Sequence, residues 1–154
     1  MEEIIRRIKI FEGFRAKPYV CPAGKLTVGY GYNFEDRGFA PRVMAEIIEK
    51  GFTEELAERL LRADVQECLD ACAGVFRFFG ALSEPRRAVI ADMVYQLGLA
   101  GLQKFKKMLI AAESGDFDTA ADEMKNSRWY AQSGRRSLIN TEQMRTGEWQ
   151  EVNI

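Results

Sequence analysis

One stretch of this chain decides what kind of fold is open to it. Residues 14 to 34 carry Phe14, Tyr19, Val20, Leu26, Val28, Tyr30, Tyr32 and Phe34, interleaved with Pro18, Pro22, Gly24, Gly29 and Gly31. Aromatic and β-branched residues suit strands, and proline and glycine punctuate turns. Cys21-Pro-Ala-Gly-Lys25 reads as a turn between two short strands, and Leu26 to Phe34 partly alternates. No other segment reads as β. The chain is therefore expected to be α+β and mostly helical, with a single small β-hairpin lobe.

The rest follows the helical period. Ile4, Ile5, Ile8 and Phe11 share one face, so a short first helix ends near Phe11 with Gly13 as its stop, and Glu12 sits at that end. Arg42 to Lys50 is a second helix, closed by Gly51. Thr53 is a good N-cap for a long helix to about Ala73, whose stripe is Leu56, Leu60, Leu61, Val65, Cys68 and Cys72. Ser83 opens a helix through Ala88, Val89, Ala91, Met93 and Val94 to Leu97, with Gly98 as the stop. Leu102 to Ala112, Phe117 to Met124 and Arg136 to about Arg145 supply further short helices. These segments make one domain of two lobes. The small β-containing lobe spans about 13–52, a connecting helix about 53–73, and the helical lobe about 74–154 together with helix 1–12. A cleft between two such lobes is a favoured seat for a polymer ligand.

Composition removes several kinds of chemistry. The chain contains no histidine, which excludes Ser-His-Asp and Cys-His catalysis, His-ligated zinc and a histidine pH switch. Its formal net charge of −1 provides no global field for nucleic acid or an anionic membrane. The cysteines are Cys21, Cys68 and Cys72, an odd and sparse set that argues against a disulfide framework and suits a reducing compartment. The opening Met1-Glu-Glu-Ile-Ile-Arg-Arg lacks an apolar signal core and no segment approaches a membrane span, so no membrane insertion is expected. Carboxylates, thiols, hydroxyls, lysines and arginines are left to act. Glycoside hydrolysis needs a proton donor on one side of the scissile bond and a base or nucleophile on the other. Glu12 at a helix end, Cys21 nine positions on and Thr27 six further can be gathered around one cleft if the hairpin folds back over the helix end.

Glu12-x8-Cys21-x5-Thr27, followed by Val28-Gly29-Tyr30-Gly31, resembles the Glu-x8-Asp/Cys-x5-Thr signature of the phage-type lysozymes, the endolysin muramidases of glycoside hydrolase family 24, and within them the T-even phage type. The resemblance runs along nearly the whole chain. Arg86-Arg87 leads into Met93-Val94-Tyr95-Gln96-Leu97-Gly98, and Ser127-Arg128-Trp129-Tyr130-Ala131-Gln132 and Arg145-Thr146-Gly147-Glu148-Trp149 recur in matching order. It implies a lysozyme-like two-lobed fold and hydrolysis of the β-1,4 bond between N-acetylmuramic acid and N-acetylglucosamine in peptidoglycan. By the same resemblance Glu12 matches the general acid, Cys21 the base or nucleophile, and Thr27 the threonine that helps to hold the attacking water. Tyr95, Gln96, Trp129, Tyr130 and Gln132 match groove positions. Arg136, or its neighbour Arg135, matches the arginine that pairs with the acid, and Asn33 offers backbone contact to glycan. The family also implies a monomer with no metal or organic cofactor and no nucleic-acid partner. It would wait in the host bacterial cytoplasm until a holin-type membrane permeabiliser opens the way to the cell wall.

This chain departs from the family pattern at Tyr32, which replaces a histidine, so an ion pair of that lobe is expected to be absent. Cysteine at position 21 leaves three roles open: base, water orienter or covalent nucleophile. The commonplace readings are expected elsewhere. Cys68 and Cys72 pack in the core, Trp129 is buried, and the pairs Arg6-Arg7, Arg86-Arg87 and Lys106-Lys107 form solvated faces. The rival function is a glycan-binding module that keeps the fold without catalysis. A cysteine peptidase or amidase is disfavoured by the lack of histidine.

Overall fold

In the computed structural model, which describes residues 1–152, the chain divides into two compact units, Met1–Asp64 and the residues from Val65 onward. The division falls inside a long helix.

In the first unit, α1 spans Glu2–Glu12. Ile4, Ile5 and Ile8 are buried, while Glu2 and Glu3 in the first turn complement the positive end of the helix dipole. Gly13 ends the helix at φ 66° and donates its N–H to the Lys9 carbonyl at 3.0 Å. Helix α1 groups with the strands, against the expectation that residues 1–12 belong with the helical lobe. The reason lies in its partners: Lys9 reaches Glu58 at 2.7 Å and Glu2 binds Arg62 at 2.5 Å, both within this unit.

Strands β1 (Arg15–Val20), β2 (Leu26–Gly29) and β3 (Tyr32–Asn33) form an antiparallel sheet in that order. Tyr19 lies opposite Thr27, and Thr27 opposite Asn33. The run expected as one alternating segment is thus two strands, broken at Gly29-Tyr30-Gly31. Gly29 is required there: its φ is +68°, and a Cβ would come within 2.9 Å of the Phe52 ring and 3.1 Å of Ala57. Phe34 does not continue β3 but opens a short helix, α2 (Phe34–Arg37), because Asn33 caps it, accepting the Asp36 N–H at 3.1 Å. Helix α3 (Pro41–Lys50) starts at a proline and stops at Gly51. Helix α4 (Glu54–Val75) begins at Thr53, whose hydroxyl accepts the Leu56 N–H at 3.2 Å.

Tyr32 stacks on Phe39 with ring centroids 5.4 Å apart and donates its hydroxyl to the Gly38 carbonyl. Tyr32 carries no charge, so it forms no ion pair itself, but a charged pair lies beside it. Arg37 binds Asp64 at 2.6 Å while its guanidinium lies 4.9 Å from the centre of the Tyr32 ring.

The second unit holds the last turns of α4, a 3-10 turn at Phe79–Ala81, and helices α5 (Glu84–Leu102), α6 (Lys106–Ser114), α7 (Phe117–Lys125), α8 (Arg128–Gln132) and α9 (Gly134–Thr146). Its core includes Cys72, Val89, Ile90, Met93, Leu102, Met108, Met124 and Met144, all fully buried. Each large side chain of this kind contributes about 1.5–3 kcal/mol through burial. Gly98 interrupts α5 at φ 71°, as its position predicts, but the helix resumes, so Leu102 ends α5 instead of opening α6. The five-residue α8 was not expected; Ser127 caps it by accepting the Tyr130 N–H at 3.1 Å. Arg86 departs from its expected solvated face. It donates to the Met144 and Arg145 carbonyls at 2.8 and 2.9 Å, satisfying the end of α9. Arg7 of α1 is likewise buried. Among the described residues, no helix is long and apolar enough to cross a membrane.

Candidate active site

Glu12 is the last residue of α1 and is half-buried. The chain leaves it through Gly13 directly into β1, so the helix end and the hairpin are covalent neighbours. Tyr19 lies on β1, opposite Thr27. Burial, then the Glu12 and Cys21 charges, push its phenol above the usual range, and Arg15 opposes them. The Arg15 guanidinium sits 4.4 Å from the centre of the Tyr19 ring.

Cys21 opens the turn between β1 and β2. Its backbone N–H donates to the Lys25 carbonyl at 2.9 Å, and its own carbonyl accepts the Gly24 N–H at 2.8 Å. Cys21 as a residue is half-buried. The Lys25 backbone N–H, chiefly, and the Thr27 hydroxyl stabilise its charged form and hold the thiol below its ordinary range, against an opposing effect of burial. Thr27 is buried, at 3% exposure, and its hydroxyl lies 3.0 Å from the Lys25 carbonyl. The structure therefore brings Cys21 and Thr27 together through Lys25 and sets both on the hairpin that follows Glu12. A thiol so placed is a better nucleophile or base at neutral pH than a free cysteine. Asn33, opposite Thr27, spends its side chain on capping α2, with Nδ2 also donating to Asp36 at 2.9 Å.

The remaining candidates lie in the second unit. Tyr95 and Gln96 are half-buried near the end of the first segment of α5, and Gln132 is exposed at the end of α8. Gln96 has a duty the sequence did not show: its Oε1 accepts the indole N–H of Trp129 at 2.5 Å. Trp129 is buried, as expected, with its ring edge-on to Phe105. Arg136 is also buried, and its guanidinium grips Asp92 through Nε at 2.9 Å and a terminal nitrogen at 2.7 Å. Asn140 donates to the same carboxylate at 2.5 Å. Arg136 thus takes part in a buried ion pair with Asp92, which the sequence alone does not indicate; Arg135 beside it is exposed. The overlooked partner carried a signal: Asp92 is a charge inside the apolar run Ala88 to Val94, and such a residue needs a partner. Among the described residues, no group of three or more His, Cys, Asp or Glu side chains is arranged to hold a metal ion.

A mostly helical α+β chain with a glutamate at the end of its first helix, followed by a thiol and a threonine on a hairpin, has the layout of lysozyme-like glycosidases. The comparison with protein families makes this particular. The phage lysozyme family model matches residues 9–145, and the chain belongs to that family. It is 30% identical to the pre-baseplate central spike protein Gp5 of Enterobacteria phage T4 over 90% of its own length, but spans only 26% of that protein. It is 26% identical to the protein named "Probable T4-type lysozyme 2" of Dictyostelium discoideum, across 84% of this chain and 86% of the other. With the endolysin of Bacillus phage B103 it shares 32% identity over 85% of its length and 45% of the endolysin's.

Proposed function

We propose that this chain is a peptidoglycan-degrading lysozyme that hydrolyses the β-1,4 bond between N-acetylmuramic acid and N-acetylglucosamine, and that it serves a phage in host lysis. The observation that carries this reading is the hairpin geometry, in which Cys21 and Thr27 meet at Lys25 on the segment that follows Glu12. In this reading Glu12 protonates the departing glycosidic oxygen as the bond to the anomeric carbon breaks. Water held by Thr27 adds to that carbon and gives its proton to the Cys21 thiolate. If the thiolate attacks first, the same water later releases the sugar from sulfur and Glu12 recovers its proton. Tyr95, Gln96 and Gln132 contact the glycan, and Arg136, anchored by Asp92, braces the face that carries them.

The reading includes a monomer that needs no metal or organic cofactor. It acts on the wall from the host cytoplasm once a holin-type partner has permeabilised the membrane. The membership of the phage lysozyme family and the similarity to an endolysin support it. The test is incubation of the purified chain with peptidoglycan. New reducing sugar ends are expected. Binding to the wall without release of reducing ends would replace this reading with a glycan-binding module, and new amino groups would replace it with an amidase.

A further inference from the structure

The turn that carries Cys21 is braced from outside the hairpin. Strand β2 lies between β1 and β3, and its β3 ladder pairs Val28 with Tyr32 and Thr27 with Asn33. The next rung would join Leu26 to Phe34, but Phe34 has already turned into α2. The Leu26 N–H would be left without a strand partner. Instead it donates to the Glu35 carboxylate at 2.9 Å. The Lys25 ammonium contacts the same helix, at 2.8 Å from Asp36 and 3.5 Å from Glu35. Helix α2 is itself fixed to β3 by the Asn33 cap. We propose that Glu35 is a positioning residue for the Cys21–Thr27 pair: its carboxylate substitutes for the absent rung of β3 and holds the Lys25–Leu26 peptide against the turn.

The Lys25–Leu26 segment is where the two candidate groups meet. The Lys25 carbonyl accepts from the Cys21 N–H and lies within reach of the Thr27 hydroxyl. The Lys25 N–H is the chief donor toward the Cys21 sulfur. Loosening this segment moves the donors that favour the thiolate, while the buried contacts of the sheet at Thr27 and Val28 remain. Glu35 is exposed and its ion pair with Lys25 lies in solvent, so its removal costs the fold little. The effect belongs to the thiol and not to global stability.

This inference rests on the catalytic reading of Cys21, and its test separates the two. Iodoacetamide alkylation of Cys21, followed peptide by peptide in a mass spectrometer so that Cys68 and Cys72 are scored separately, gives the pH midpoint of that thiol in the intact chain. Glu35→Ala should raise the midpoint and slow alkylation at neutral pH several-fold. Glu35→Gln keeps an oxygen that accepts the Leu26 N–H and should restore the parent profile. In parallel, Glu35→Ala should lower turnover on soluble wall fragments several-fold with little change in KM. If the alanine variant keeps the parent midpoint, the positioning role is overturned. It is also overturned if alanine and glutamine shift the midpoint alike, since loss of charge would then explain the change. Wall lysis by Cys21→Ser at the parent rate would instead defeat the catalytic reading, while the alkylation profiles would still decide the role of Glu35.

Discussion

The two units place their polar interactions differently. In Met1–Asp64 most ion pairs lie at the surface: Glu3 with Arg6, Glu46 with Arg59, Glu2 and Glu58 with Arg62, and Lys25 with α2. The unit that begins at Val65 also has surface pairs, Arg145 with Asp118 and Asp122, but it adds a pair in which both partners are buried, Asp92 with Arg136, joined by Asn140. Surface pairs contribute little to stability, whereas breaking a buried pair leaves an uncompensated charge in a dry interior. The first unit can therefore tune its side chains for chemistry at small cost. In the second, a change at the buried Asp92–Arg136 pair is felt as loss of stability.

The largest break in this contrast should come from Glu12. Glu12→Gln keeps the shape and removes the transferable proton, and wall lysis should fall by about 10²–10⁴-fold. Circular dichroism and the melting curve should match the parent. Near-normal lysis would remove Glu12 from the acid role.

Asp92→Ala should do the opposite, acting first on the fold. It strands Arg136 and should destabilise the second unit by about 3–5 kcal/mol in urea titration. Asp92→Ala combined with Arg136→Met should recover much of that loss, because no buried charge then remains. A single variant as stable as the parent would show that the pair is not sealed from water.

Cys21→Ser should cost about tenfold or more in lysis without affecting stability, while Cys21→Asp should keep substantial activity. The donors from Lys25 and Thr27 hold the thiol below its ordinary range. Iodoacetamide should therefore inactivate the parent at a lower pH than it modifies a free cysteine, and wall oligosaccharide should slow that reaction. Alkylation that follows an ordinary thiol profile would show that these donors do not favour the thiolate.

Gln96→Ala sharpens the comparison from the other side. It orphans the buried Trp129 indole N–H, so it should cost about 1–3 kcal/mol together with any loss of oligosaccharide affinity. The smallest effect belongs to Arg62→Met, which should leave the melting temperature nearly unchanged, the more so in added salt.

Local signals account for most of what could be read before the structure. The stops at Gly13 and Gly51, the cap at Thr53 and the turn at Cys21–Lys25 each depend on residues within one or two helical turns and occur where expected, while Gly98 breaks α5 without ending it. Helix α8 escaped because its five residues are too short to display a period. Helix α2 escaped because Phe34 suits either a strand or the first turn of a helix, and the Asn33 cap decides between them. In the candidate site, the motif spacing gives Glu12, Cys21 and Thr27 but not what their neighbours do. The grip of Asp92 on Arg136 joins residues 44 apart in the chain, and that of Gln96 on Trp129 joins residues 33 apart. Such partners are fixed by tertiary packing, which no local pattern encodes.

The core of the second unit also keeps a chemical record. Met93, Met108, Met124 and Met144 are all fully enclosed. Thioethers fill irregular space well, and they take up oxygen from peroxide once exposed. While the core stays shut these sulfurs are out of reach; in added peroxide, an opening that exposes one lets it take up oxygen, and the polar sulfoxide fits the apolar core poorly. The order in which the four accumulate oxygen therefore reports which helices lift away first, residue by residue, without any added label.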